Sequence, residues 1–368
     1  MKPLHHSNLP VASRRFTFAR SRLRLLSCWQ LIWPLLICPL LFSTAACVPK
    51  AERDVVVYSA LDEQFATPIF AAYERSVDYE TGIVGKFDVE STKTVGLVNQ
   101  ILAEQNSPVC DVFWNNEIMH TVRLQKLGLL KPRTWAVAPG WPSDMIASDG
   151  SWCGFAARAR VLLINTDKIP SKDDYPTSVA DLIDPKWKHN CAMARPLFGT
   201  TATHFAVLRV RDGHEETLEF LKQIQDNAVV LSGNKQVALA VSSGEVAWGL
   251  TDTDDAIIEK DQLRNVAIVF PDQQSDQPGT LRIPNTLAIL NDAPHPVAAE
   301  TLADYLVSAQ TEDRLAMGDS SQLPISRDSE YRPRVMPKEP VRWMKVDFEA
   351  AAEGWTEWAE EVMAVFPD

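Results

Sequence analysis

Three carboxylates, Asp252, Asp254 and Asp255, stand within four residues, just after the apolar run Val246 to Leu250 that reads as a strand. Acids this close repel one another unless a cation or amine is shared among them, or all are solvated. The Asp-x-Asp spacing fits ligation of a hard cation through oxygen. It is not a calcium loop, because no Gly and distal Glu follow at the required positions. Two hydroxyl-rich stretches, Ser91-Thr92-Lys93-Thr94 and Gly199-Thr200-Thr201, each precede a predicted helix. Hydroxyls, free N–H groups and the positive helix end make a cradle for an anion. The same residues also serve as plain N-caps. Arg158 and Arg160 alternate on a predicted strand, so both face one way, either as anion anchors in a cleft or as solvated surface charges.

Motifs of catalysis are missing. The chain has no Gly-x-Ser-x-Gly elbow, no His-Glu-x-x-His, no P-loop and no dinucleotide glycine fingerprint. His204 and His214 lack triad-like neighbours and read as structural or exposed. The pattern is one of holding a ligand, and no enzyme is expected. A secreted carboxylate-based hydrolase competes with that reading and would need two acids facing each other across a cleft. A surface lipoprotein with no ligand is the third alternative.

The elements that must carry these residues follow a repeating plan. Asp54 to Ser59 reads as a buried strand, and Asp62-Glu63 opens an amphipathic helix to about Ser76. A strand near Gly85–Glu90 leads into a helix from Val95 to Gln105. Cys110 to Trp114 is a third strand, and Asn115-Asn116-Glu117 starts the next helix. Strand, polar loop and helix, three times over, predict a parallel sheet flanked by helices. Ligands of such sheets bind at the carboxyl ends of the strands. Ser59, Asp62, Ser91, Thr92, Lys93, Asn115, Asn116 and Glu117 all fall at those ends. After a Pro- and Trp-rich connection, Arg158 to Asn165 is a long strand. A second series follows, with strands at Asn190–Ala194, Val229–Leu231 and Val246–Leu250 and helices at Glu215–Asn227 and Lys235–Ser243. Thr286 to Leu290 is a further strand, a helix spans Val297–Ser308, and Val346 to Phe366 is amphipathic.

Composition narrows the setting. The first 46 residues carry six basic side chains and no Asp or Glu, and the apolar stretch Leu25 to Phe42 leads into Ser43-Thr44-Ala45-Ala46-Cys47. That order is the plan of an export signal, 1–46, and the protein is expected to work outside the cytoplasm. A small-residue run ending in Cys is similar to a bacterial lipobox, after which Cys47 is lipidated; an ordinary cleaved signal or an uncleaved anchor is the alternative. Beyond residue 46, thirty basic side chains face 48 acidic ones, a net charge near −18. So acidic a surface repels phosphate backbones, and nucleic acid is excluded as a partner. Some 320 residues exceed one ordinary core and predict two lobes. Nothing after the signal approaches the ~20 apolar residues of a membrane span, so only the N-terminus touches membrane, through its lipid. Three cysteines remain there, Cys110, Cys153 and Cys191. One bridge at most can form, with Cys153–Cys191 the expected pair and three buried thiols the alternative.

Taken in order, VVVYSALDE (55–63), STKTVGLVNQILAE (91–104), DVFWNNE (111–117), GFAARARVLLINTD (154–167), PLFGTTATH (196–204), SGEVAWGLTDTDDA (243–256) and GTLRIPNTLAIL (279–290) resemble the solute-binding proteins of ABC importers, in their ferric-iron branch. The resemblance spans about Val55 to Ile325. It implies a periplasmic-binding-protein fold, type II-like: two α/β lobes, each a mixed, mostly parallel sheet, with hinge strands between them. Lobe 1 is expected over 47–160 and 281–330 and lobe 2 over 161–280, with 331–368 a helical tail on a lobe. The implied function is delivery of a small solute to a membrane permease by a periplasmic monomer that needs no cofactor, Fe3+ being the transported ligand. Ferric binders of this branch hold iron with a neighbouring tyrosine pair, a His and a Glu. Here those positions hold Asp254 and Asp255, Asp62, and Asn116 with Glu117 next to it. Asp62, Asp254 and Asp255 are therefore the expected metal ligands. Related proteins bind phosphonates and sugar phosphates, so an aminophosphonate, a phosphate ester or another small anion is the alternative solute.

Overall fold

The computed structural model describes residues 54–87 and 93–367; the expected signal, Cys47, Ser91 and Thr92 lie outside them. The strands are β1 (Val55–Ser59), β2 (Ile83–Phe87), β3 (Val112–Asn115), β4 (Trp152–Asn165), β5 (Cys191–Ala194), β6 (Val229–Leu231), β7 (Trp248–Asp252), β8 (Val266–Val269) and β9 (Arg282–Ile289). The helices are α1 (Glu63–Ser76), α2 (Lys93–Ala103), α3 (Met119–Lys126), α4 (Gly199–Asp212), α5 (His214–Asn227), α6 (Asn234–Ser242), α7 (Thr253–Asp261), α8 (Pro296–Leu306), α9 (Ala309–Met317), α10 (Phe348–Ala351) and α11 (Trp355–Val365).

Strands run in the order β2-β1-β3-β9-β4-β7-β5-β6, with β8 also on β4. Each end of this array is parallel: β1 pairs with β2 and β3, and β5 with β6 and β7. The middle is antiparallel, where β9 lies between β3 and β4, and β4 against β7 and β8. The protein thus has two mixed sheets flanked by helices. Strand β4 belongs to both: Trp152 to Ala159 pair with β9, and Arg160 to Ile164 with β7. All 14 residues of β4 are buried, as its central place requires.

Alternate residues of the strands feed opposite cores. Tyr58, Phe113, Trp152, Leu162 and Ile164 enter one; Val57, Trp114, Phe155, Val161 and Leu163 enter the other. This geometry overturns the expected disulfide. Cys153 packs in the second core and Cys191 in the first, and both, with Cys110, are free buried thiols. Burial pushes all three thiols up, Cys191 to about 12, so they are inert. The C-terminal segment reaches helices of both series. Arg209 of α4 donates to the carbonyl of Ala351 at 3.2 Å, and Lys126 of α3 pairs with Glu353 at 3.7 Å. Among the described residues no helix is long and apolar enough to cross a membrane.

Candidate functional site

Five helices begin around one cleft. It is lined by Asp62 at the start of α1, Thr94 and Val95 of α2, Gly199 and Thr200 of α4, Gly233 and Asn234 at α6, and Asp254 and Asp255 of α7. Phe65, Asn116, Arg158, Ala194, Arg195, Phe198, Ser232 and Asp252 complete the wall around about 70 Å3 of water-sized space. The strand ends gather these starts, because each parallel strand delivers its chain to the same edge. Phe198 and Gly233 stand at the N-cap positions of α4 and α6 and have no side-chain oxygen to cap them. Their helix starts therefore offer N–H groups and dipole ends to a ligand.

The acidic cluster is where the sequence placed it, but in a helix rather than a turn. Asp252 ends β7, and Asp254 and Asp255 occupy the first turn of α7, where the helix dipole favours carboxylates. One oxygen of each of the three lies within 4.8 Å of the others, close enough to share a metal ion. Asp252 is already committed. Its Oδ1 accepts from Arg160 Nη1 at 2.6 Å, and its Oδ2 from Thr200 Oγ1 at 2.5 Å and Asn234 Nδ2 at 2.9 Å. Arg160 is fully buried and also donates to Thr200, Thr201 and Asn234. It ties the starts of α4 and α6 to the end of β7. Arg160 and Thr201 are thus framework, not cleft wall.

Arg158 and Asp254 form the working pair. Arg158 Nη2 stands 3.4 Å from Asp254 Oδ2, with both side chains buried. Arg158 Nε and Nη2 and Asp254 Oδ1 have no hydrogen-bond partner. Burial raises the Asp254 carboxyl to about 6, aided by Asp252 and Asp62 and opposed by Arg158. Burial works against the Arg158 charge, yet Asp254, Asp252, Asp255 and Asp62 outweigh it and hold the guanidinium above its ordinary value. Two opposite charges with unsatisfied atoms line one wall, an arrangement a ligand with both signs would complete.

Other expected residues fall behind the wall. Glu117 accepts from the N–H groups of Met119 and His120 and from Asn115 Nδ2, so it anchors the start of α3 instead of facing the cleft. Asn115 bonds Thr121 and Thr94, and Asn116 reaches the cleft beside it. Ser59 is buried, its hydroxyl 3.4 Å from the Leu61 carbonyl. Lys93 begins α2. Sequence reasoning missed Phe65, Arg195, Phe198, Ser232 and Asn234. For Ser232-Gly233-Asn234 a signal existed, since it repeats the strand, polar turn, helix pattern after β6.

Comparison with known proteins identifies the class. The profile of the bacterial extracellular solute-binding protein family matches residues 108–350, and the chain belongs to that family. It is 26% identical to iron uptake protein A1 of Synechocystis over 282 residues, 74% of this chain and 76% of that one. It is 23% identical to the Fe(3+)-binding periplasmic protein of Serratia marcescens over 317 residues, 85% and 91% of the two chains. Iron-bound HitA from Pseudomonas aeruginosa superimposes with a TM-score of 0.72 at 21% identity, covering 85% of this chain and 99% of that one. The fold is therefore the two-lobed periplasmic-binding-protein fold.

Proposed function

We propose that the protein captures a ferric ion together with a small oxyanion and hands it to the permease of an ABC importer outside the cytoplasm. The carrying observation is the set of three carboxylates within 4.8 Å, beside an Arg158 whose guanidinium has unpartnered nitrogens. Carboxylate oxygens suit a hard cation; by the resemblance, Asp254 and Asp255 supply charge where tyrosines would supply phenolates, and Asp62 where a His would supply its imidazole. Arg158 and the uncapped starts of α4 and α6 suit the anion that fills the remaining coordination. The relatives support iron, since their names are those of iron-binding and iron-uptake proteins. Nothing in this role calls for catalysis. The lobes are taken as 47–160 with 281–330, and 161–280, in keeping with the split of β4 pairing at Arg160.

Titration calorimetry of chelator-stripped protein with ferric citrate tests the assignment. Asp254→Asn with Asp255→Asn should abolish binding, while Thr201→Ala, behind the wall, should bind nearly as the parent. The true ligand at a thousandfold excess over its Kd should add roughly 4 kcal/mol to stability. A second reading rests on the Arg158–Asp254 pair: an aminophosphonate would place its anion on Arg158 and its amine on the acids. Stabilisation by 2-aminoethylphosphonate, with none by ferric citrate, would replace iron with that zwitterion. Attachment through a lipid on Cys47 is part of the proposal, and Cys47→Ser should then release the protein from the membrane fraction. Retention of the variant there would exclude the lipid.

A further inference from the structure

Four residues before β4 passes from one sheet to the other at Arg160, its pairing with β9 is broken by a single irregular residue. Pairing with β9 slips between Phe155 and Ala157, and the extra residue, Ala156, has φ +34°. That is left-handed backbone, which a side chain with a Cβ disfavours. Its surroundings hold it there from both sides. The Ala156 N–H donates to Glu312 Oε1 at 2.6 Å, and its carbonyl accepts from Asn285 Nδ2 of β9. Glu312, in the first turn of α9, is fully buried and also accepts from Ile325 N at 2.9 Å and Ser326 N at 2.7 Å. Next to it Ala157 and Leu323 exchange backbone hydrogen bonds at 2.7 Å. One carboxylate thus gathers the crossing strand and the 325–326 segment, three N–H groups in all. Arg282 of β9 is the cation that acts on it, and the Cys153 thiol lies within its field.

We infer that Glu312 is a hinge clamp: its buried carboxylate fixes Ala156 in the left-handed conformation and so sets the direction in which β4 runs on, four residues later, into the second sheet. A carboxylate that accepts three N–H groups replaces ladder bonds that a bulge forfeits. It also holds them at one geometry, because no water reaches the site to exchange with them. The inference rests on the reading that the lobes close on a solute, but it concerns only how they turn.

Spin labels on Glu80→Cys and Glu219→Cys, exposed positions on α1's following loop and on α5, measure the distance between lobes by pulsed electron resonance in ligand-free protein. The native thiols among the described residues are buried, and the labelled protein also carries Cys47→Ser, so the labels go to the added sites. Glu312→Gln keeps the shape but loses the charge and sets an NH2 group against N–H donors. It should widen the distance distribution about twofold; an unchanged width in the folded variant overturns the clamp, whatever its melting temperature. If Glu312→Gln does not fold, Ala156→Gly decides in its place. Glycine can leave the left-handed region freely, so the same widening is expected, and an unchanged width again overturns the inference. No ligand enters the measurement, so its failure leaves the iron assignment untouched, and failure of ferric binding leaves the hinge untouched.

Discussion

Asp254 sits where its charge is disfavoured. Its folded carboxyl titrates at about 6, against 3.8 in an exposed chain. Between those values the folded protein keeps a proton that the unfolded chain releases. The associated stability is full below about pH 4 and lost as pH rises through 6, a loss on the order of 2–3 kcal/mol at neutrality. Asp254→Asn should therefore melt higher than the parent at pH 7 without ligand, and its melting temperature should fall less between pH 4 and 6. Parallel melting curves across that range would show that the carboxyl is not perturbed. Arg160 is the opposite case, since it pairs with Asp252 at 2.6 Å. Arg160→Met leaves Asp252 buried and uncompensated, which should cost about 3–5 kcal/mol by urea unfolding. Arg158→Met should cost clearly less, because its contact with Asp254 is longer and its nitrogens are only partly satisfied.

At the scale of elements, the sheet of β5, β6 and β7 depends on close approach between β7 and α6. A Cβ built on Gly249 would lie 2.4 Å from Val237 Cγ1 and 3.0 Å from the Ala192 carbonyl. Gly249→Ala should push α6 from the sheet and cost about 1–3 kcal/mol in thermal or urea unfolding; a neutral result would mean that α6 shifts freely. Elements with a local signature were legible in the sequence. The run VVVYS and the periodic stretch from 214 to 227 needed no partner to be read, and the structure has β1 and α5 there. The first half of β4, WCGFAA, was not legible, because its strand character comes from pairing with β9 rather than from β-branched residues. The short β8 and the helix α9 were missed as well. At the site, Asp254, Asp255, Arg158 and Thr200 were readable as charge and capping chemistry. That Asp252 belongs to the framework was not, since Arg160 and Asn234 commit it across 92 and 18 residues of chain. Phe65 and Phe198 carry no chemical signature, and only the assembled cleft places them there.

The molecule as a whole is acidic, near −18 beyond residue 46. Its field should draw bare cations toward it and repel anionic chelates. Association with an aquo metal ion should therefore slow as salt rises from 10 to 200 mM, while association with ferric citrate should quicken. Stopped-flow rates that ignore salt for both forms would show that the cleft is shielded from the surface charge. One strand has a consequence for how the protein comes into being. Val112 of β3 finds its partner at Ile289 of β9, and β4 waits for the same strand. A ribosome adding about 5–20 residues per second needs roughly 10–30 s to travel from one to the other. Throughout that interval the first sheet stands with a gap at its centre, so the nascent chain stays threadable, the condition its proposed passage out of the cytoplasm would demand.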